Sequence, residues 1–330
     1  MKKSLIFILL AFYSVKLFSQ EMDYEKIHFD FNGVISVENK LVSYGNSGHI
    51  LVSSNNGESW NSVKIFDDSI TIEKMLTFNG SVYGICFGGI IFKTDFNLNL
   101  TAWSQNNNSS KYYDFVVNEN AYILSSNNSV IVLNNNFEQI NEIIIDSLYP
   151  VNNIVYWEGY IYLATQKGKI VTVNLLDNNS ISHIDLGSSG QNIKQILPKN
   201  NSLLLNIDNN AYEMNILTGN PVLISNSVSF LGLYDNNIYD LRKNLNTSKN
   251  VAWLELYKFE NSNFKLITMD SIDRYVTPDL NIREYKFFGT NNIIAVGTNK
   301  TIYISDSKGE NWKLKSIYKQ YGKHYWLNEQ

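Results

Sequence analysis

Apolar residues in this chain come in runs of about four to six, each bounded by polar turns, and the runs recur in groups of four. In the first group, Val34 to Val37, Leu41 to Tyr44, His49 to Val52 and Trp60 to Ile65 are joined by turns at Asn39 and Gly48. Short β-forming runs between turn residues predict antiparallel strands in a meander. The turn between the second and third runs is marked by Gly48, Gly88, Asn128, Gly168 and Asn209, spaced 40, 40, 40 and 41 residues apart. No helical periodicity interrupts the pattern.

The later groups follow the same plan. The second is Met75–Phe78, Val82–Phe87 and Ile90–Lys93, with its outer strand at or just before Ala102-Trp103. The third is Asp114–Val117, Ala121–Leu124, Val130–Leu133 and Ile140–Ile145. The fourth is Ile154–Trp157, Tyr160–Ala164, Lys169–Asn174 and Ile181–Ile184. The fifth is Ile193–Leu197, Leu203–Ile207, Ala211–Ile216 and Val222–Ile224. The sixth is Val228–Leu233, Ile238–Leu241, Ala252–Phe259 and Phe264–Thr268. The seventh is Tyr285–Gly289, Ile293–Gly297, Ile302–Ser305 and Trp312–Ile317. A repeat of about 40 residues made only of strands is the signature of a propeller blade, because one small sheet cannot bury both faces alone. The expectation is an all-β fold, a β-propeller of seven four-stranded blades. Inner strands are apolar at nearly every position and outer strands alternate, as expected of sheets packed face to face with wet outer edges. The ring is expected to close by packing, or by residues 22–30 adding a strand to the seventh blade. The period breaks once, where Lys243 to Lys249 and Asp270 to Ile282 exceed the repeat. Long loops on a rigid scaffold are where function concentrates.

The first residues change the picture of where the chain works. Met1-Lys2-Lys3 precede an apolar run from Leu5 to Tyr13, and Ser19 is a small residue at a plausible cut. This predicts a signal peptide over residues 1–19, a single propeller domain over 20–330, and a secreted or periplasmic protein. The apolar run is too short to span a bilayer as a helix. Loss of Lys2, Lys3 and Lys16 takes the formal charge from −4 to −7. An acidic chain with no basic patch argues against nucleic acid and anionic membrane as partners. Cys86, alone and within an apolar string, predicts a buried thiol without a disulfide. Roughly one residue in seven is Asn, and clusters such as Asn134-Asn135-Asn136 read as loop tips, because Asn tolerates left-handed backbone and caps turns.

Two strings share a spacing. Ser53-Ser54-Asn55-Asn56-Gly57-Glu58-Ser59-Trp60 and Ser305-Asp306-Ser307-Lys308-Gly309-Glu310-Asn311-Trp312 each carry Ser, then Gly four later, then Trp three after that. They resemble the Asp-box, or bacterial neuraminidase repeat, with Asn55 and Ser307 where the motif has Asp. The resemblance covers two of the seven blades and implies a structural role for Ser53, Asn55, Gly57, Trp60, Ser305, Ser307, Gly309 and Trp312. Physically, a short polar side chain accepts amides across the turn, Gly takes the left-handed position, and Trp buries a large ring. The resemblance implies a sialidase-like or assembly-factor-like propeller without catalytic residues. In sialidases three arginines hold the substrate carboxylate, the first of them before the first box. Here no arginine precedes Arg242, and the catalytic Tyr–Glu pair has no counterpart.

The three arginines still define a candidate contact region. Arg242, Asp273-Arg274-Tyr275 and Arg283-Glu284-Tyr285 combine charge and aromatic groups around the one long excursion, a mix suited to a protein or glycan contact. The binding candidates are therefore Arg242, Asp273, Arg274, Tyr275, Arg283 and Tyr285. His28, His49, His183 and His324 are scattered without ligand spacing, Asp67-Asp68 reads as a turn, and neither a metal nor a cofactor is implied. Tyr321 to Trp326 is expected to pack on the ring. The functional expectation is an exported, monomeric, non-enzymatic propeller that binds a protein through loops on one face. The alternative is a glycan-binding or glycan-active propeller, which would need two carboxylates within about 5–10 Å of each other at the central funnel.

Overall fold

The computed structural model describes residues 30–105, 112–119, 121–126, 128–145, 151–177, 179–186, 191–216, 218–246, 251–272, 282–289, 292–297, 301–305, 312–314, 318–320 and 323–325. The signal segment 1–19, residues 22–29, Asp273, Arg274, Tyr275, Ser307 and Gly309 lie outside them. Among the described residues no helix is long and apolar enough to cross a membrane.

Seven four-stranded antiparallel sheets follow one another along the chain. Blade one is β1 (Phe31–Val37), β2 (Lys40–Gly45), β3 (His49–Ser53) and β4 (Asn61–Lys64). Blade two is β5 (Ile72–Phe78), β6 (Ser81–Cys86), β7 (Ile90–Thr94) and β8 (Leu100–Gln105). Blade three is β9 (Asp114–Val117), β10 (Tyr122–Ser125), β11 (Ser129–Leu133) and β12 (Gln139–Ile144). Blade four is β13 (Val151–Trp157), β14 (Tyr160–Thr165), β15 (Lys169–Asn174) and β16 (Ser180–Asp185). Blade five is β17 (Ile193–Lys199), β18 (Ser202–Ile207), β19 (Asn210–Asn215) and β20 (Pro221–Ser225). Blade six is β21 (Phe230–Tyr234), β22 (Asn237–Asn246), β23 (Val251–Glu260) and β24 (Asn263–Ile272). Blade seven is β25 (Ile282–Phe288), β26 (Asn292–Gly297), β27 (Thr301–Ser305) and β28 (Trp312–Leu314), and a small hairpin, β29 (Tyr318–Gln320) with β30 (Lys323–Tyr325), follows it. The first strand of every blade touches the first strand of the next, and β25 returns to β1, so the ring is closed. Among the described residues blades one and seven each keep their own four strands. Closure there is by packing: Phe31, Val34, Leu41 and Leu51 share a core with Phe288, Ile294, Val296, Ile302 and Ile304.

The marker turns owe their spacing to one repeated contact. The carbonyls of Gly48, Asn128, Gly168 and Asn209 accept the amides of Ile65, Ile145, Leu186 and Val228 at 2.8, 2.8, 3.3 and 2.7 Å. Each donor lies just beyond the outer strand of the same blade, so the turn pins the chain where it leaves for the next blade. The abundance of Asn also has a local cause. Asn56, Asn79, Asn179, Asn200, Asn209, Asn236 and Asn261 all hold left-handed backbone, with φ between 40° and 67°, a region Asn tolerates better than most residues.

Two expectations change. The most buried strands are the second ones rather than the innermost. β2, β6, β14, β18 and β26 are buried at every position after the first, whereas β5 and β17 keep partly exposed positions on the ring's inner side. The excess in blade six is also not simply loop. Lys243–Asn246 pair with Val251–Leu254, and Asp270–Ile272 pair with Ala252–Leu254, so these residues lengthen strands.

Candidate binding site on the sixth blade

Near the start of the innermost strands a register shift displaces one residue from the ladder. It falls before Gly33, Lys74, Asn153, Gln195 and Glu284. Asp114 holds the matching place in blade three, since Ser125 donates to its carbonyl as Ser43 does to that of Gly33, both at 3.1 Å. A bulge re-aims a side chain, and here it aims across the gap between blades. Asp114 accepts the amide of Ile154 at 2.8 Å and the Asn153 side chain at 2.7 Å. Asn153 in turn accepts the amide of Ile196 at 3.1 Å, and Gln195 that of Leu231 at 2.9 Å. Lys74 of blade two is ion-paired with Asp114. These polar inner-ring groups join neighbouring blades.

The turn after β3 is bonded as its residue types require. Ser53 Oγ accepts the Gly57 amide at 2.8 Å, and Asn55 Oδ1 accepts the Ser59 amide at 2.9 Å. Gly57 has φ of 86°, and buried Trp60 donates from Nε1 to the Gly57 carbonyl at 3.1 Å. Asn55 thus fills an acceptor role open to Asp. In blade seven, Ser305 is buried and Trp312 half-buried at the corresponding ends of the second string.

Blade six is built differently. The innermost strand, β21, pairs with β22 only as far as Phe230↔Leu241. Residues 242–246 therefore run on for roughly 16 Å at strand rise, on the same side of the ring as the marker turns. Alternation puts Asp240, Arg242 and Asn244 on one face, directly opposite Tyr257, Glu255 and Trp253. Met269, paired with Glu255, lies on that face and is 58% exposed. The opposite face is apolar: Leu241, Leu254 and Leu256 pack on Tyr285, Ile293, Ala295 and Tyr303 of blade seven.

The polar face is internally bonded. Buried Asp240 accepts the amides of Ser229 and Phe230 at 2.8 and 3.0 Å and pairs with Arg242 Nε. Burial nevertheless dominates and raises the Asp240 carboxyl above its ordinary range, against the pull of Arg242 and the two amides. The Arg242 guanidinium lies over the Tyr257 ring, 4.1 Å from its centroid, a cation–π contact. Glu255 accepts from Trp253 Nε1 at 2.6 Å, from Tyr257 Oη at 2.7 Å, and from Asn244. Burial pushes the Glu255 carboxyl up, but these donors and the Arg242 charge outweigh it and hold it below the usual glutamate range. Arg242, with Nε committed to Asp240 and its plane stacked on Tyr257, is fixed in orientation.

Of the residues singled out in the sequence, Arg242 alone of those described sits on this face. Arg283 hydrogen-bonds Asn32 and lies 3.6 Å from Asp30, so it ties blade seven to blade one. Glu284 and Tyr285 belong to β25 and not to a loop. Tyr285 is buried between blades six and seven, where Gly232 has no room for a Cβ because the Tyr285 hydroxyl occupies it. It is a core residue rather than a contact residue. Sequence reasoning passed over Asn244, Trp253, Glu255 and Tyr257. The available signal was the strand-like alternation of residues 252–259 continuing beyond the length of the repeat.

Among the described residues no group of His, Cys, Asp and Glu is arranged to hold a metal ion. Neither a family model nor a curated protein matches the chain. Solved structures do. The WD40 β-propeller domain of Doa1 is 13% identical with a TM-score of 0.64, over 85% of this chain and 94% of that one. The computationally designed Ika8 protein is 11% identical with a TM-score of 0.57, over 86% of each chain. At such identity the likeness is one of fold: this chain of seven blades is similar to a WD40 β-propeller domain.

Proposed function

We propose that this protein is an exported, non-enzymatic propeller that binds a partner protein through the projecting hairpin of blade six. The observation that carries the reading is the oriented Arg242–Tyr257 stack beside Trp253 and Glu255, on strands that outrun the other blades. Tyr, Trp and Arg are the residues that dominate binding energy at protein contacts, and their prior fixation lowers the ordering cost of association. Export rests on the Lys2-Lys3 and Leu5–Tyr13 pattern of the first residues. A glycan-active reading finds less support, because Asp114 on the inner ring is engaged by amides and Lys74.

The test is capture from envelope extracts with three forms: wild type, the double variant Arg242→Lys/Met269→Glu, and Trp103→Glu as a rim control. A protein held by wild type and the control but lost by the double variant supports the reading. Equal capture by all three forms contradicts it. Binding or cleavage of polysaccharide by wild type, with no protein captured, would favour the glycan alternative.

A further inference from the structure

The seam where the last blade meets the first differs from the other bonded seams. The residue just after its bulge is Glu284, whose Oε2 accepts the Val34 amide at 3.0 Å and lies 3.4 Å from the Tyr44 hydroxyl. Gly33 of blade one makes room: a Cβ there would overlap both the Glu284 carboxylate and the Tyr44 hydroxyl. Asp114 and Asp240, the buried aspartates elsewhere, each touch a cation. Among the described residues half-buried Glu284 has no ion-pair partner, although its carboxylate is tucked between Gly33 and Tyr44.

We propose that this seam is a proton-sensitive latch, in which Glu284 fills the space left by Gly33, bonds the Val34 amide of blade one, and costs the seam less when protonated. A carboxylate drawn partly out of water without a counter-ion carries a desolvation penalty that protonation removes. The groups around it do not cancel that penalty. Lys286 on its own strand and Lys74 on β5 act through space, and the Val34 amide and Tyr44 hydroxyl add hydrogen bonds. Asp114 adds negative charge near Tyr44, and neighbouring Arg283 is engaged with Asn32 and Asp30. Burial prevails, and the Glu284 carboxyl is raised above the usual glutamate range. A group whose folded pKa is raised contributes its stability below the unfolded value and loses it as pH rises through the folded value. The latch therefore loosens from the ordinary glutamate range upward.

The test is thermal melting of the full chain between about pH 4 and 8, from the glutamate range to neutrality, with hydrogen exchange of the segment containing Val34, corrected for intrinsic rate. Wild type is expected to lose about 2 °C or more across this range and to lose protection at Val34 in parallel. Glu284→Gln, which mimics the protonated group, is expected to flatten both profiles. Tyr44→Phe removes one donor and is expected to extend the loss to higher pH. Gly33→Ala is expected to abolish protection at Val34 at every pH. Identical pH profiles for wild type and Glu284→Gln would overturn the proposal. So would pH-independent protection at Val34 in the wild type, even if Gly33→Ala failed to fold.

Discussion

The inner ring and the blade-six projection both hold charged groups away from water, but they aim them differently. On the inner ring Asp114, Asn153 and Gln195 reach to backbone amides of the next blade. On the projection Asp240, Arg242, Asn244, Trp253, Glu255 and Tyr257 bond mainly to one another within a single sheet. The first arrangement ties blades together. The second orders a surface within one blade, where Tyr257 also packs against the core shared with blade five. The proposed binding role rests on this difference: the projection's polar groups are fixed mainly by one another, on strands that outrun the other blades.

That contrast can be broken where it is sharpest. Asp114→Ala leaves Lys74 without its partner and the Ile154 amide without an acceptor. It is expected to destabilise the fold by about 1–3 kcal/mol, as a buried donor left unsatisfied does; denaturant titration reads this. Should it prove silent, the inner ring is not held by side chains. Next comes Gly57→Ala, which forces a Cβ onto left-handed backbone and into Ile304 across the closing seam. The expected loss is about 1–2 kcal/mol from backbone strain, with more if Ile304 cannot yield; a variant as stable as wild type would remove the structural role given to the Ser53–Trp60 turn.

Two glutamates, Glu255 and Glu284, sharpen the comparison by sign. Glu255 is held low by its donors, so its contribution is present above the unfolded pKa and is lost as pH falls through the folded one. Glu284 behaves in the opposite sense. Hydrogen exchange from neutral pH downward, corrected for intrinsic rate, should loosen the 251–257 segment and tighten the 31–37 segment. Parallel changes in both segments would show that one global transition governs them. The smallest stability effect is expected from Met269→Glu, on an exposed edge: within about 0.5 kcal/mol of wild type, yet with loss of partner binding. A silent change in binding would move the contact off this face.

The plan of the blades was legible because turns advertise themselves. Gly48, Gly88, Asn128, Gly168 and Asn209 fall between second and third strands in the structure as the spacing predicts. The inner-ring ties were not legible, because no two residues at the matching place just after the bulge are alike: Gly33, Lys74, Asp114, Asn153, Gln195 and Glu284 share a position and not a chemistry. Each is chosen by its neighbour, as Gly33 is by Glu284, and neighbours in the ring lie about a whole repeat or more apart in sequence. Arg242 was visible as one of three arginines. Its companions Trp253, Glu255 and Tyr257 read as ordinary strand residues until the register of β22 against β23 placed them opposite it.

The most direct measurement is site-specific photo-crosslinking with the full chain in envelope extract, with the probe at position 269 on the projection or at position 103 on the blade-two rim. Both positions are exposed, at 58% and 55%, so accessibility does not decide the outcome. A discrete protein adduct at 269 and none at 103 is the predicted result. Adducts of equal yield at both positions, or an adduct at 103 alone, would contradict the assignment of binding to blade six.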